Sequence, residues 1–390
     1  MNKETILKKL INSDNEIAFY LEHKDQLTKT AILLFNQSSS QFSGYVNKKF
    51  GKYYLLGLGN YDHSYLLDQN ICSDNNWLKV SAIVYFDINM LSRLNSYIEN
   101  RNVSDTCSFK EAMDYIKEKK YLVEAVTASI ERVSKRYSKD SFMSSLYTFR
   151  KFIKCDQLDS NTNDIRLDKN DKKIIDKYYS YVKNDYSKNS TLILRYKALY
   201  CMVAKACILK FQNVDNKFDK LSLYCLDTLN FIAINELYQL GLFLTSKNSL
   251  SMFQKLQISK GSKIIETIKN VTWDLYHVRL IEQIRPIVSY ESNGMVSIEL
   301  PFFITNDKGL SDYINANRLK MIIFEHSNNS VIPIPERNIG DISQLLIDKQ
   351  IKNKFIYEDQ FRKEKLKNVN WDAQINSLNS TLMKIVNARK

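Results

Sequence analysis

Three acidic residues of this 390-residue chain stand where a parallel sheet would present chemistry. Asp87 follows the apolar run Val80-Ser-Ala-Ile-Val-Tyr-Phe86, whose length and β-branched content predict a strand buried on both faces. Asp307 follows a second predicted strand, Val296–Thr305, through Asn306. Glu131 lies on the helix predicted after a third apolar run, Tyr121–Val126. In open α/β sheets ligands sit beyond the carboxyl ends of the strands, so acids at those ends converge on one cleft. A fourth acid, Asp274, falls in the first turn of a helix predicted over Trp273–Ile284, with Thr272 as its cap and Pro286 as its stop. Gathered carboxylates repel a phosphate by themselves, but they can hold divalent metals, which invert the local charge. Mg²⁺ and Mn²⁺ prefer such oxygen ligands. Each acid also has a plain structural role. Asp87 and Asp307 suit turns, Asp274 favours a helix dipole, and Glu131 fits a solvated helix face.

The elements that must position these acids alternate. A helix near Glu4–Leu21 leads to short apolar segments at Ala31–Asn36 and Tyr53–Leu58. The Val80–Phe86 strand is followed by helical patterns over Leu91–Asn100 and Lys110–Lys119, then by the Tyr121–Val126 run and a helix over Ala128–Arg136. That is the α/β rhythm. It stops for the long helical patterns of 132–267, notably Leu192–Phe211 and Leu221–Leu244, with the polar stretch Asp156–Lys173 read as a flexible connection. It resumes with the Val296–Thr305 strand, a short helix over Leu310–Arg318 and a strand over Lys320–Glu325. Residues 341–390 read as a helical tail with a basic face.

Four segments together carry a family resemblance. Ile83-Val-Tyr-Phe-Asp-Ile-Asn-Met-Leu91 resembles the first strand and loop of PIN-domain nucleases, where apolar residues lead into Asp-x-Asn-(apolar)-Leu. Tyr121-Leu-Val-Glu-Ala-Val-Thr-Ala-Ser-Ile-Glu131 is similar to the family's second strand and the helix carrying its Glu, and Trp273-Asp274-Leu-Tyr-His-Val-Arg279 to the helix carrying its next Asp. Phe302-Phe-Ile-Thr-Asn-Asp-Lys-Gly-Leu310 looks like its Thr-x-Asp strand end. The order Asp, Glu, Asp, Asp is the family order. The resemblance covers 81–131 and 270–335, under a third of the chain. The long gap between Glu131 and Asp274 departs from compact PIN domains and leaves Glu124, Glu111 and Glu236 as competitors for the Glu position.

The resemblance implies an α/β fold with a PIN-like core, a central parallel sheet over 81–131 and 268–340. It also implies a helical basic insertion over 132–267, an N-terminal accessory region over 1–80 and a helical tail over 341–390. It implies a Mg²⁺- or Mn²⁺-dependent nuclease, with Asp87, Glu131, Asp274 and Asp307 as the acidic metal site. Asn89 and Thr305 would fix the Asp87 loop and the strand end, with Asn306 and His277 beside them. A metal-bound hydroxide suffices as nucleophile, so no side-chain base is assigned. His277, one turn beyond Asp274, either contacts phosphate or moves a proton, or is simply a polar helix residue. Lys308 either touches phosphate or is a routine turn lysine. Some such nucleases act as toxins or in defence against foreign nucleic acid. The alternative is a catalytically silent PIN-like module that binds nucleic acid or a partner protein, and a third reading is a helical interaction protein without that core.

Charge agrees with a polyanionic partner. The chain carries 56 Lys+Arg against 43 Asp+Glu, a formal net charge of +13. Residues 132–260 hold 23 Lys+Arg and 12 Asp+Glu, so a net +11 is concentrated in the insertion. There Tyr178, Tyr179, Tyr181 and Tyr186 stand among Lys172, Lys173, Lys177, Lys183 and Lys188, in an order that allows unpaired bases to stack, or allows tyrosines to pack under a solvated lysine face. Stacking favours single-stranded RNA over a duplex, and RNA is the preferred partner over DNA. The chain lacks GxxxxGK[ST], GxSxG and HExxH, and its four histidines argue against histidine-rich metal chemistry. Six cysteines without CxxC spacing, no export signal and no apolar run suited to a bilayer predict free thiols and a cytoplasmic protein away from membranes. A protein partner or homo-oligomer is compatible with this composition.

Overall fold

The apolar run that leads into Asp87 is a strand, as its composition requires. In the computed structural model it spans Leu78–Phe86, and its last five residues, Ala82–Phe86, are all buried. The structure describes residues 2–38, 40–69, 71, 78–135, 138–185, 191–245, 248–259, 261, 263–283, 288–290, 295–327, 330–356 and 366–388. The chain forms two compact units. The first comprises residues 1–178, 280–307 and 318–336, the second residues 179–279, 308–317 and 337–390. The units therefore cut across the expected boundaries. Residues 132–178 join the α/β unit, and the C-terminal segment joins the helical one.

All ten described strands lie in the first unit. They are β1 (Thr30–Leu34), β2 (Lys48–Phe50), β3 (Tyr53–Gly57), β4 (Tyr65–Leu67), β5 (Leu78–Phe86), β6 (Leu122–Glu124), β7 (Val288–Tyr290), β8 (Val296–Thr305), β9 (Leu319–Glu325) and β10 (Ser330–Pro335). One sheet has the order β2-β3-β8-β5-β6, with β7 also on β8. Strand β5 is parallel to both β8 and β6. The parallel core is thus three strands, and the expected parallel sheet is in fact mixed. Strands β2 and β3 form a tight hairpin, and strands joined so closely pair only antiparallel. Strand β3 then adds antiparallel to β8. Gly51 turns that hairpin at a φ of +54°, and a Cβ there would meet the Ser108 hydroxyl at 2.4 Å, so only glycine fits.

The second sheet, β10-β9-β1-β4, is antiparallel throughout. Strand β9, read from sequence as part of the parallel core, pairs instead with β1, whose five residues are all buried. Residues 1–80 therefore supply strands to both sheets and are not a separate lead-in. The polar stretch Asp156–Lys173, expected to be flexible, is held by charge. Asp171 is buried and accepts from Arg150 Nε at 2.9 Å and from the Lys154 ammonium, while Lys151 donates to the Asn163 carbonyl at 2.5 Å.

The second unit is helical among its described residues. Its central helix, Thr191–Phe211, matches the sequence pattern and is buried on most sides. Helix Trp371–Asn387 lies along it, with Tyr200 Oη donating to Asn379 Oδ1 at 2.6 Å and Lys197 paired with Asp372 at 2.8 Å. The expected continuous helix over Leu221–Leu244 is broken. Helix Lys217–Leu223 loosens into a π-helical turn, Tyr224–Leu229, and Asn230 adopts a left-handed φ of 49° before helix Ile234–Thr245 begins. Glu236, fully buried, accepts from Arg279 through Nε at 2.7 Å and Nη2 at 2.8 Å, and from Tyr313 Oη at 2.7 Å. It thereby cross-links helices Ile234–Thr245, Lys263–Gln283 and Lys308–Ala316. Among the described residues no helix is long and apolar enough to cross a membrane. The thiols of Cys201, Cys207 and Cys225 are buried, and burial pushes all three up, Cys201 to about 12. Cys72 lies outside the described residues.

Two outcomes follow from these buried charges. Glu236→Gln removes the buried charge on which the Arg279 guanidinium is forked, and urea unfolding is expected to show a loss of about 3–5 kcal/mol. Hydrogen bonds from Lys154 and then Arg150 hold the Asp171 carboxyl at about 2, below its usual 3.8. A depressed carboxylate stabilises the fold above its unfolded pKa, and that contribution disappears as pH falls through the folded one. Asp171→Asn should therefore melt below wild type at pH 7, and the difference should close as the pH is lowered from 3.8 towards 2.

Candidate active site at the ends of strands β5 and β8

The parallel register of β5 and β8, with Phe86 beside Ile304, brings the next residues of both strands together. Asp87 is 3% exposed and caps helix Ile88–Ile98. Its Oδ1 accepts from the Met90 N–H at 2.5 Å, and its Oδ2 accepts from the Thr305 hydroxyl at 2.5 Å. Thr305 is fully buried, and its Oγ1 also accepts from the Asp307 N–H at 3.0 Å. One hydroxyl thus joins the Asp87 carboxylate to the backbone of Asp307. Asp307 itself is half-buried.

The other expected residues divide between the units. Asn306 faces Arg93, its amide oxygen 3.0 Å from Nη2 and 3.1 Å from Nε. Asn89 is exposed in the first turn of its helix, so fixing the Asp87 turn falls to Thr305 and the Met90 amide instead. Glu131 lies on helix Val126–Ser134, which docks on the end of β5 through the Thr127 hydroxyl, 3.1 Å from the Phe86 carbonyl. Glu131 is 3% exposed and pairs with Lys135 at 2.5 Å, so it is not a solvated helix residue. Its competitor Glu124 accepts from the Ala125 N–H at 2.9 Å and from Tyr178 Oη at 2.8 Å. Glu111 lines a groove of about 510 Å³ with Lys48, Phe50 and Tyr115.

Asp274 and His277 belong to the second unit, as do Glu236 and Lys308. The helix that carries Asp274 begins at Lys263, not at a Thr272 cap. The Thr272 hydroxyl instead donates back to the Ile268 carbonyl at 2.7 Å, inside the helix, so Asp274 is not a first-turn acid. His277 is buried, its ring 5.9 Å from that of Trp273. Lys308 pairs with Asp312 at 2.9 Å.

Among the described residues no group of three or more His, Cys, Asp and Glu side chains lies where it could hold one metal ion. Two carboxylates on adjacent strand ends still fit Mg²⁺ in donor chemistry. That ion is bound through one or two carboxylates and keeps several waters. Asp87 and Asp307 are the residues that would hold it.

The lysine-tyrosine stretch of the insertion is less available for stacking than its sequence suggests. Tyr178 is spent on Glu124, and burial raises its pKa well above 10. Tyr181 is 54% exposed. Tyr186 and Lys188 lie outside the described residues. A different cluster of cations, absent from the sequence expectations, stands beside the acids. Arg93 lies on the Asp87-capped helix, and Lys52 lies in the β2–β3 turn. The signal in the sequence was Lys48-Lys49-Phe-Gly-Lys-Tyr-Tyr54, cations and aromatics around the one glycine that can turn them. Comparison with protein-family models, curated proteins and solved structures returned no match to this chain.

Thr305→Val removes the donor to a buried carboxylate while keeping the shape. It should cost about 1–3 kcal/mol in urea unfolding, and Thr305→Ser should recover most of it.

Proposed function

We propose that the chain is a metal-dependent nuclease that hydrolyses phosphodiester bonds, with single-stranded RNA as its preferred substrate. The observation that carries this reading is the pair of parallel strands β5 and β8 ending side by side in Asp87 and Asp307 around one Thr305 hydroxyl. The PIN-like reading is supported by the same arrangement. The segments resembling the family's first and second strands are parallel neighbours, and the Thr-Asn-Asp strand lies on the other side of the first.

When bound at these acids, Mg²⁺ or Mn²⁺ supplies a water of lowered pKa and positive charge against the phosphate. The protein's own part is positional. Thr305 orients the Asp87 carboxylate and holds the Asp307 backbone, and the helix begun at Asp87 anchors the strand end. Outer-shell groups of this kind are worth about 10- to 100-fold in metal affinity or activity. Glu131, in the same unit as Asp87 and Asp307, remains a proposed member of the acidic set.

A second reading, a catalytically silent module that binds nucleic acid, is favoured by one feature. Both Asp87 oxygens already accept hydrogen bonds, one from a helix N-terminus and one from Thr305. A carboxylate so engaged explains its burial by structure alone.

Cleavage of single-stranded RNA and DNA with Mg²⁺, Mn²⁺ or EDTA separates the two. Wild type should cut RNA only with metal, and Asp87→Asn should abolish cutting. The fold should survive that change, because Asn is an equally good helix cap and its amide can donate to Thr305. Binding without cleavage in every metal would favour the silent module, and full activity in Asp87→Asn would remove the site assignment.

A further inference from the structure

We propose that Lys52 and Arg93 form a phosphate-binding subsite beside the acidic pair, gripping the backbone of a single-stranded nucleic acid next to the cut. This deepens the nuclease reading and rests on it. Four observations in the first unit carry it.

The two cations converge on one oxygen. Lys52 Nζ donates to Ser104 Oγ at 2.7 Å, and Arg93 Nη1 donates to the same atom at 3.0 Å. Two positive charges within hydrogen-bond reach of one neutral hydroxyl repel each other, and a bound anion relieves that repulsion. Neither cation has a carboxylate within 4.0 Å among the described residues. Burial raises the pKa of Tyr53 between them, Arg93 lowers it and the charge of Asp105 raises it.

The cations are also held in place. Both lie over the Tyr53 ring, Lys52 Nζ at 5.7 Å and Arg93 at 5.8 Å from its centroid. Tyr53 Oη in turn donates to the Ser104 carbonyl at 3.0 Å. An aromatic platform and a shared hydroxyl remove much of the side-chain freedom that phosphate binding would otherwise cost.

Their position is set by the sheet. Tyr54 stands opposite Thr305 in the β3–β8 register, so Tyr53 begins β3, with Lys52 in the turn just before it, where Asn306 and Asp307 leave β8. Arg93 also spans the gap, because its guanidinium meets the Asn306 amide between Thr305 and Asp307.

The same hairpin carries two more cations over aromatic rings, on opposite faces of β2. Lys49 lies over Tyr54 at 5.5 Å, and Lys48 lies over Tyr115 at 4.1 Å. Lys48 and Lys49 are exposed. Cations interleaved with aromatic rings along an edge strand suit a flexible phosphate backbone with unpaired bases.

The test uses the full chain carrying Asp87→Asn, so that nothing is cut, and a fluorescein-labelled 12-nucleotide oligouridylate. Anisotropy gives Kd over a KCl series without divalent metal. Lys52→Ala and Arg93→Gln should each weaken binding by about tenfold at low salt. Each should also lower the slope of log Kd against log [KCl] by about 0.7, the loss of one phosphate contact on a single strand. Arg93→Lys should restore the slope but not the full affinity, since a lysine keeps the charge and loses the planar fork. Lys8→Ala, on the N-terminal helix Lys3–Ile11, controls for net charge. A loss as large in Lys8→Ala as in Lys52→Ala would overturn the subsite, because binding would then follow total charge. Lys52 sits in a two-residue turn, so its alanine variant reports on binding even if Arg93→Gln unfolds. Unchanged affinity in both variants, with wild type still cutting RNA, would overturn the subsite and leave the nuclease reading standing. A drop in cleavage rate by Arg93→Gln at unchanged affinity would also overturn it, leaving Arg93 as a positioning residue for Asn306. A wild-type chain that neither binds nor cuts would overturn both.

Discussion

The Thr305 hydroxyl is the joint on which the candidate site depends. It donates to one buried carboxylate and accepts from the amide two residues on, and so locks the ends of two parallel strands. Parallel pairing of β5 and β8 alone would align their backbones but leave the buried Asp87 carboxylate without its bond from Thr305. The hydrogen bond from Thr305 offsets that desolvation cost and keeps the charge pointing at the strand end. The helix cap at Met90 completes the arrangement, because the same carboxylate also starts the helix that carries Arg93.

That helix connects the acids to the cations. Asp87 begins it, and Arg93, under two turns later, reaches back to Asn306 and across to Ser104. The turn of the β2–β3 hairpin supplies Lys52 to the same hydroxyl. A site that must attract a phosphodiester and also hold metal needs both signs of charge within a few ångströms but not in contact. Here the Asp87 carboxylate is tied by hydroxyl and amide donors, and the cations Lys52 and Arg93 by a hydroxyl and an aromatic ring.

Three other carboxylates in the two units are structural. Glu236 is committed to Arg279 and Tyr313, and Asp171 to Arg150 and Lys154. Glu124 is committed to Tyr178. Each was a plausible reactive or flexible feature when only residue types were visible. Removing one partner of such a set would strand a charge in low dielectric, which is why they hold helices and loops in register.

The local signals in the sequence were sound. The unbroken apolar run before Asp87, the strand ending at Thr305-Asn-Asp307 and the apolar pattern of helix Thr191–Phe211 all appear as read, because burial and side-chain period act over a few residues. Long-range pairing was not legible. Nothing in the composition of β9 says that it joins β1, or that β3 adds antiparallel to β8, since several partners satisfy the same hydrophobic pattern. Thr272 read as a cap because threonine suits one, yet a helix starting at Lys263 absorbed it through a back-bond to Ile268. By itself the sequence determined which acids could end strands and how much positive charge the chain carries. Tertiary structure alone decided that Asp87 and Asp307 share Thr305 while Asp274 belongs to another compact unit. It also decided that Lys52 of a hairpin turn and Arg93 of the Asp87-capped helix meet at one hydroxyl. Side chains far apart along the chain meet only when strand register brings them together, and register is a property of the packed sheet.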